Sequence, residues 1–225
     1  MSDTLLVVAK QPIPGQTKTR LCPPLSPMLS ADLYECFLRD TLDVMRKVLN
    51  VHRVVCFLPD DARDYFYRLA PDMDLTRQHG ESLGERLDHL LTEALASGSS
   101  RVVVMDSDSP TLPAEYITQA FDQLTDSDVV LGPTQDGGYY LIGMKRPQPL
   151  LLRQVQMSTS HVLADTLALA QASNLVVSLL PAWYDIDTID DLLRLDSEIN
   201  GSSMNDSAPA TRRWLAHTDW RNSKA

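Results

Sequence analysis

The chain is poor in the features that mark secreted, membrane-spanning and nucleic-acid-binding proteins. It has only three cysteines among 225 residues and no C-x-x-C pair, so we expect reduced thiols rather than a disulfide framework. The start of the chain lacks a basic signal segment, and no apolar run is long enough to cross a bilayer. The net charge of -10 argues against nucleic acid or an anionic membrane as the main partner. These absences predict a cytoplasmic globular protein.

Two common phosphate-binding motifs are also missing. The sequence has no G-x-G-x-x-G, and no glycine precedes Lys18 as a P-loop would require. Nevertheless, no acidic residue lies between positions 4 and 31, whereas Lys10, Lys18 and Arg20 do. Cationic side chains pair with phosphate, and Gly15 lets the main chain approach a ligand closely. The segment therefore indicates an anion site, with a solvated basic loop as the alternative.

Short apolar runs alternate with amphipathic segments along most of the chain. The runs at 5–9 and 101–105 are typical of strands buried on both faces. Apolar residues at helical spacing predict a helix over 31–49. Other predicted strands are 53–58, a short one near 75, 128–131, 139–144 and 175–180; other predicted helices are 60–69, 83–95, 113–124, 160–172 and one that begins at Thr188. This alternation predicts an α/β fold with a mostly parallel sheet covered on both faces. We expect one domain over 1–199 and a polar C-terminal tail over 200–225.

Two aspartates follow the clearest predicted strand. Asp106 and Asp108 supply hard oxygen ligands of the kind that Mg²⁺ or Mn²⁺ prefers. A metal held there would neutralise a diphosphate, which could not otherwise sit beside aspartates. The alternative is an Asx-turn in which Asp108 or Ser109 starts the next helix. We take Asp108, together with Asp106, as the candidate metal ligands.

A glycine-containing segment lies between two later predicted strands. Asp136-Gly137-Gly138 is typical of a tight turn. The functional interpretation places Asp136 over the site as base or metal ligand, with the glycines leaving room for substrate. Both interpretations can hold at once.

An acidic segment precedes the last predicted helix. Thr188 with Asp191 three residues on matches a capping box. Asp185 and Asp187 precede this helix and are not needed for the cap, but the pattern favours a structural over a catalytic role for the segment. A lone histidine at a helix start, such as His161, is more often a capping or surface residue than a ligand.

Taken together and in their order along the chain, these segments resemble the bacterial glycosyltransferase-like family of the nucleotide-diphospho-sugar transferase superfamily. The chain is more distantly similar to the molybdenum-cofactor and phospholactate guanylyltransferases. The specific matches are KTRL at 18–21 and GPTQDGGYYLIG at 132–143; supporting matches lie at 9–15, 78–80, 83–86, 108–110, 158–159 and 185–192. The chain departs from the family pattern at Asp106, Ser109 and Met157, where glycine, cysteine and tryptophan are usual.

The resemblance implies a GT-A-like, Rossmann-type three-layer sandwich with three groups of site residues. Asp108 and Asp106 would bind the metal. The nucleotide would contact Lys10, Gly15, Lys18, Thr19, Arg20, Gln78, Leu83, Gly84 and Arg86. The acceptor side would comprise Asp136, Gly137, Gly138, Tyr139, Ser158, Thr159 and His161.

The implied activity is metal-dependent sugar transfer from a nucleotide-diphosphate-sugar to a small-molecule acceptor. Lys18 and Arg20 would hold the nucleotide during catalysis, and Asp136 would act as the base. A second possibility is nucleotidyl transfer from an NTP to a small phosphorylated substrate, with pyrophosphate release. A third is nucleotide binding without turnover. Oligomeric state stays open.

Overall fold

A seven-stranded sheet forms the centre of the molecule, in the order β3-β2-β1-β4-β6-β5-β7. The computed structural model describes residues 2–201 and 207–222. The strands are β1 (Asp3–Lys10), β2 (Val51–Leu58), β3 (Asp74–Arg77), β4 (Val102–Met105), β5 (Val129–Pro133), β6 (Tyr139–Met144) and β7 (Val177–Leu179). The helices are α1 (Pro27–Lys47), α2 (Arg63–Leu69), α3 (Leu83–Ala96), α4 (Ala114–Gln123), α5 (Pro149–Arg153), α6 (Val162–Ala172), α7 (Ile189–Asn200) and α8 (Pro209–His217), with 3-10 turns at Thr19–Leu21 and Trp220–Asn222.

The sheet is mostly parallel, as the sequence predicts. Strands β1, β2, β3 and β4 pair in parallel, and β7 pairs in parallel with β5. Only β6 runs against its neighbours β4 and β5 among the described strands. Because β5 and β6 form a hairpin, the carboxyl ends of β1, β4, β5 and β7 all reach one edge of the sheet.

Helices cover both faces of the sheet and give it three layers. Alternate residues of β1 point to opposite faces, so that Leu5 and Val7 join one core and Leu6 joins the other. The first core also contains buried residues of α1, α2, α4, α7 and α8, whereas the second contains those of α3, α5 and α6. This arrangement confirms the three-layer α/β sandwich.

Caps determine where several helices begin. Ser26 accepts a hydrogen bond from the Leu29 amide at 3.3 Å, and Pro27 occupies the first turn, so α1 begins four residues before the predicted start at 31. The predicted capping box of α7 is present, with Asp191 reaching back to the main-chain N–H of Thr188 at 2.7 Å. The five-residue helix α5 was not predicted, because it is too short to show a helical period.

The segment predicted as a polar tail contains helix α8, which packs on α1. The buried carboxylate of Asp40 accepts hydrogen bonds from the main-chain N–H groups of Ala210 and Thr211, both at 2.8 Å. Leu215 and Trp220 are buried against the first core. The remainder of the tail, at 202–206 and 223–225, lies outside the described residues. The division into a domain over 1–199 and a tail over 200–225 stays a proposal.

Candidate functional site

Two adjoining cavities open at the carboxyl edge of the sheet, on either side of β1 and β4. Strand order reverses between these two strands, and open α/β sheets bind ligands at such a point. The first, which we call the loop cavity, has a volume of about 450 Å³ and is lined by the 9–20 loop with Gln78 and Arg86. The second, the turn cavity, has a volume of about 490 Å³ and is lined by Asp136, Tyr139 and residues 157–160. The residues that line both are Val8, Arg20, Leu83, Asp106, Asp108, Ser158 and Asp187.

We call the residues that line both cavities the junction. Lys18 lines the loop cavity and contacts two of these residues, Asp108 and Asp187. Its side chain is only 6% exposed, and its Nζ lies 2.8 Å from both Asp108 Oδ1 and Asp187 Oδ1. It also donates a hydrogen bond to the carbonyl of Ile186 at 2.7 Å. Burial would lower the pKa of the Lys18 ammonium, but Asp108 and Asp187 outweigh burial and raise it. Lys18 is therefore a buried cation held between two carboxylates.

The backbone at Lys18 adopts a left-handed conformation with φ of 50°. The hydroxyl of Ser30, buried in α1, donates to the Lys18 carbonyl at 2.7 Å and holds this conformation. A non-glycine residue in this region carries backbone strain, which proteins retain where neighbouring contacts over-determine the geometry. Ser30 and the two aspartates supply such contacts.

The acidic segment before α7 joins the site, although the sequence favours a structural role for it. The Ile186 amide donates to the Asp108 carbonyl at 3.0 Å and so places Asp185 and Asp187 beside the end of β4. Arg20 pairs with Asp187, its guanidinium nitrogen 3.1 Å from Oδ2. Burial acts to raise the pKa of Asp187, but Lys18 and Arg20 overcome burial and lower it. Asp187 is thus ionised and paired.

Asp106 and Asp185 experience the opposite electrostatic environment. Burial, followed by repulsion from Asp108 and Asp185, raises the pKa of Asp106 well above its ordinary value. Burial, followed by repulsion from Asp187 and Asp136, raises the pKa of Asp185 to about 6. Asp106 Oδ1 also accepts a hydrogen bond from the Asp108 amide at 3.2 Å, which closes an Asx-turn at Asp106. The next helix, α4, begins after Pro113 without a side-chain cap, so neither Asp108 nor Ser109 starts it. The turn and a place in the site coexist at Asp106.

A buried hydroxyl pair supports the end of β4 and was not found from the sequence. Ser107 donates to the Val8 carbonyl at 3.0 Å, so its hydroxyl accepts from Tyr34, whose oxygen lies 2.7 Å away. The Tyr34 hydroxyl also accepts from the Lys10 amide at 3.3 Å. Burial raises the pKa of Tyr34, so its hydroxyl stays protonated at neutral pH. The pair ties α1 to the loops after β1 and β4.

Most predicted nucleotide-binding residues line the loop cavity. These are Lys10, Lys18, Thr19, Arg20, Gln78, Leu83 and Arg86. Gln78 is buried, and its amide donates to the carbonyls of Ala9 and Cys56 at 3.3 and 2.7 Å, thereby bridging the ends of β1 and β2. The Arg86 guanidinium donates to the Glu81 carbonyl at 3.3 Å.

Two glycines predicted to contact the nucleotide do not line either cavity. Gly84 faces α5, where an added Cβ would lie 2.0 Å from the Leu152 carbonyl oxygen, so this glycine allows two helices to approach. Gly15 has φ of +77° and no atom within 4 Å of an added Cβ, which makes it a turn glycine on the outside of the loop. The structure shows helix packing at Gly84 and a turn at Gly15, and nucleotide contact at these two positions stays a prediction.

The predicted acceptor residues divide in the same way. Those that line the turn cavity are Asp136, Gly138, Tyr139, Ser158 and Thr159. Asp136 is the acid of a tight turn, because its Oδ1 accepts from the Thr134 hydroxyl at 2.5 Å and from the Gly138 amide at 3.1 Å. His161 is exposed at the N-cap of α6 and lines neither cavity. Gly137 lies behind the turn, where its carbonyl accepts from the Leu163 amide at 2.9 Å.

The donor set at the junction suits Mg²⁺ or Mn²⁺, but only in part. Asp106 and Asp108 offer hard oxygen ligands, and burial, followed by repulsion from Asp108 and Asp185, raises the pKa of Asp106. Within the part of the chain that the structure describes, no three His, Cys, Asp or Glu side chains form a ready metal cage. This combination fits a metal of the kind held by one or two carboxylates plus substrate phosphates.

The architecture and the site define a protein with the nucleotide-diphospho-sugar transferase fold. The chain belongs to the DUF2064 family, described as an uncharacterized protein conserved in bacteria, which matches residues 41–159. A crystal structure of a candidate nucleotide-diphospho-sugar transferase from Desulfovibrio desulfuricans G20 is 33% identical and has a TM-score of 0.91, with 100% of both chains covered.

Two other relatives are more distant. The 2-phospho-L-lactate guanylyltransferase of Methanothermobacter thermautotrophicus is 28% identical over 182 residues, which cover 78% of this chain and 76% of that protein. The structure of Rv0371c from Mycobacterium tuberculosis H37Rv in complex with manganese shares the fold, with 18% identity and a TM-score of 0.51 over 87% of this chain and 98% of that one. The fold and the closer relatives make this chain a transferase of the nucleotidyl or glycosyl kind.

Proposed function

We propose that the protein is a metal-dependent transferase that uses a nucleotide-diphosphate-sugar donor. The observation that carries this proposal is the junction of two cavities at Lys18 and Asp108. Lys10, Lys18 and Arg86 line the loop cavity alone, whereas Asp136 and Asp185 line the turn cavity alone. The loop cavity therefore suits an anion better, and the turn cavity suits a second reactant. A donor in the loop cavity would meet an acceptor in the turn cavity at this junction.

Each charged group has a role in the proposed reaction. Arg20 and Arg86 would hold the diphosphate, and Lys18 would offset charge that develops on the leaving nucleotide. Asp108 and Asp106 would hold Mg²⁺ or Mn²⁺, which when bound supplies Lewis-acid stabilisation of the diphosphate. The manganese in the Rv0371c structure supports this assignment at the level of the shared fold. Asp136, exposed and fixed in its turn, would accept the acceptor's proton.

A nucleotidyltransferase is the second candidate, and the guanylyltransferase relative favours it. In that reaction a substrate oxygen would attack the α-phosphorus of an NTP and pyrophosphate would leave. The same cationic loop and metal ligands would serve. Nucleotide binding without turnover is the third candidate, and the transferases among the relatives argue against it.

The partners in this proposal are a nucleotide-diphosphate-sugar or NTP and a small-molecule acceptor. Nucleic acid is not a proposed partner, because the chain carries a net charge of -10. In the described residues, no helix is long and apolar enough to span a membrane. A cytoplasmic location stays part of the proposal.

One titration separates the candidates. Nucleoside di- and triphosphates and NDP-sugars are added with Mg²⁺ or Mn²⁺, and both thermal stabilisation and released product are followed. Release of nucleoside diphosphate from an NDP-sugar supports sugar transfer, whereas pyrophosphate release from an NTP supports nucleotidyl transfer. Stabilisation without product across a wide acceptor panel would leave the third candidate.

The metal assignment has its own test. Asp108→Asn should abolish the metal-dependent part of nucleotide binding, because one of the two proposed ligands is lost. Asp190→Asn removes the same charge from the exposed first turn of α7, outside both cavities, and should bind nucleotide and metal normally. Unchanged metal dependence in Asp108→Asn would show that the metal is held elsewhere.

A further inference from the structure

The turn cavity is rich in negative charge for a cavity of its size. Its lining contains the carboxylates of Asp106, Asp108, Asp136, Asp185 and Asp187, and Arg20 is the only Lys or Arg among its described lining residues. Lys18 and Arg20 pair with Asp108 and Asp187 at the junction. Asp106, Asp136 and Asp185 are the lining carboxylates that form no ion pair with a described residue. Asp106 is assigned to the proposed metal, which leaves Asp136 and Asp185 to face an acceptor.

Neither of these two aspartates forms an ion pair with any described residue. Asp136 Oδ1 is occupied by the Thr134 hydroxyl and the Gly138 amide, both of them neutral donors. An ionised carboxylate only accepts hydrogen bonds. A molecule that binds against Asp136 and Asp185 must therefore supply donors, and any negative charge on it would be repelled.

The other lining of this cavity is mostly apolar. Leu87, Val104 and Ile142 come from α3 and the sheet, Met157 comes from the segment before α6, and Val162 is the first residue of α6. A site that combines an apolar wall with a few polar groups selects ligands that have both kinds of surface. The carboxylates orient the ligand, and the wall buries its carbon skeleton.

Building on the proposed function, we propose that the acceptor is a small molecule without an anionic group, which presents a hydroxyl or amine to Asp136 and Asp185 and an apolar part to the wall. In the transfer, the acceptor oxygen or nitrogen bonds to the anomeric carbon of the sugar. The bond from that carbon to the diphosphate oxygen breaks, and its electron pair leaves with the nucleotide. The acceptor's proton passes to Asp136.

This acceptor class differs from the substrate in the name of the guanylyltransferase relative. Phospholactate bears both a phosphate and a carboxylate. In this chain such a molecule would face two unpaired carboxylates and the donor diphosphate together. Like charges at such a contact are a common means by which proteins reject the wrong partner.

Four probes that share one ring test the inference. Cyclohexanediol, aminocyclohexanol, hydroxycyclohexanecarboxylate and the monophosphate of cyclohexanediol differ in a single substituent. Their binding to the full chain, preloaded with Mg²⁺ and the nucleoside diphosphate that stabilises it most, is measured by ligand-observed NMR. We expect the diol and the amino alcohol to bind about tenfold or more tightly than the two anions.

Matched variants connect the preference to the carboxylates. Asp185→Asn should narrow the gap between neutral and anionic probes and remove any advantage of the amino alcohol over the diol. Asp190→Asn should leave the order of the four probes unchanged, because that acid lies outside the cavity lining.

The outcomes separate this inference from the proposed function. Binding of the anionic probes as tightly as the diol and the amino alcohol, or no binding of the diol and the amino alcohol, would overturn the acceptor class while nucleotide binding stands. Absence of any nucleotide-dependent stabilisation in the preloading step would overturn the proposed function and this inference with it.

Discussion

Gly137 connects the Asp136 turn to the segment before α6, and replacing it with alanine tests how closely these two walls of the turn cavity approach. An added Cβ would lie 2.0 Å from the Ser160 carbonyl oxygen, whereas real Cβ contacts below 3.0 Å are essentially never seen. The two segments must therefore separate by about 1 Å. Gly137 also has φ of +93°, which side chains rarely adopt.

The expected effects follow from these two costs. A left-handed conformation costs an alanine roughly 1–2 kcal/mol, and overpacking costs about 1–3 kcal/mol more, so Gly137→Ala should lose about 3 kcal/mol of unfolding free energy. For a chain of this length the melting temperature should fall by about 6–12 °C. A misplacement of about 1 Å in an active site can reduce turnover about 100-fold. Nucleotide affinity should change little, because the loop cavity does not include this turn.

Gly15→Ala is the matched control. Gly15 has φ of +77°, but an added Cβ would meet no atom within 4 Å. This variant therefore carries backbone strain without a clash and should lose only about 1–2 kcal/mol. Urea unfolding and steady-state turnover of both variants complete the test. Equal losses in Gly137→Ala and Gly15→Ala would refute the close approach to Ser160.

Three further predictions concern buried charges and hydroxyls. Lys18→Met should destabilise the fold by about 2 kcal/mol, because two carboxylates lose their partner. The pKa of Asp187 is lowered from 3.8 and that of Lys18 is raised from 10.5, so the ion pair stabilises the fold fully between pH 3.8 and pH 10.5. In unfolding measured against pH, the difference between Lys18→Met and the unchanged protein should therefore shrink below and above that range. Asp40→Ala should cost about 2 kcal/mol in thermal unfolding, since two amides of α8 lose a charged acceptor, whereas the exposed Asp43→Ala should cost less than 1 kcal/mol. Tyr34→Phe should lower nucleotide affinity while retaining the fold by circular dichroism, because Ser107 loses its donor at the end of β4; unchanged affinity would count against a positioning role for this hydroxyl.

The sequence predicts the elements of this fold better than their directions. Continuous apolar runs identify β1 and β4, because a strand buried on both faces needs apolar residues at successive positions. The same signal cannot show that β6 runs antiparallel to β4, since side-chain alternation is identical for either direction. The packing of helix α8 on α1 is hidden for a related reason. Asp40, which accepts a hydrogen bond from the Ala210 amide, lies 170 residues away in the sequence, and a polar segment shows no such partner in advance.

In the site, as in the fold, features within one segment can be predicted, whereas contacts between residues far apart in the sequence cannot. Lys18 and Asp108 stand out because each follows a predicted strand, and the carboxyl ends of parallel strands meet at one edge. Asp187 does not stand out, because a capping box explains its surroundings and its partner Lys18 is 169 residues away. Gly84 shows the converse case, because a glycine within a motif that the resemblance assigns to the nucleotide packs against α5, and its contact with a ligand stays a prediction.

The charges at the junction bear on the proposal that this site binds a divalent cation and a nucleotide together. Lys18 neutralises the negative charge of Asp108 and Asp187, and its own backbone adopts a strained left-handed conformation. Asp106 and Asp185 form no ion pair with a described residue, and burial, followed by repulsion from other carboxylates, raises the pKa values of both. A divalent cation that arrives with a diphosphate would relieve that repulsion while its own charge is balanced by the phosphates. Each ligand should bind more weakly without the other. A diphosphate without the metal would be repelled by the carboxylates, and in the described residues a metal without phosphates would lack a complete set of oxygen ligands.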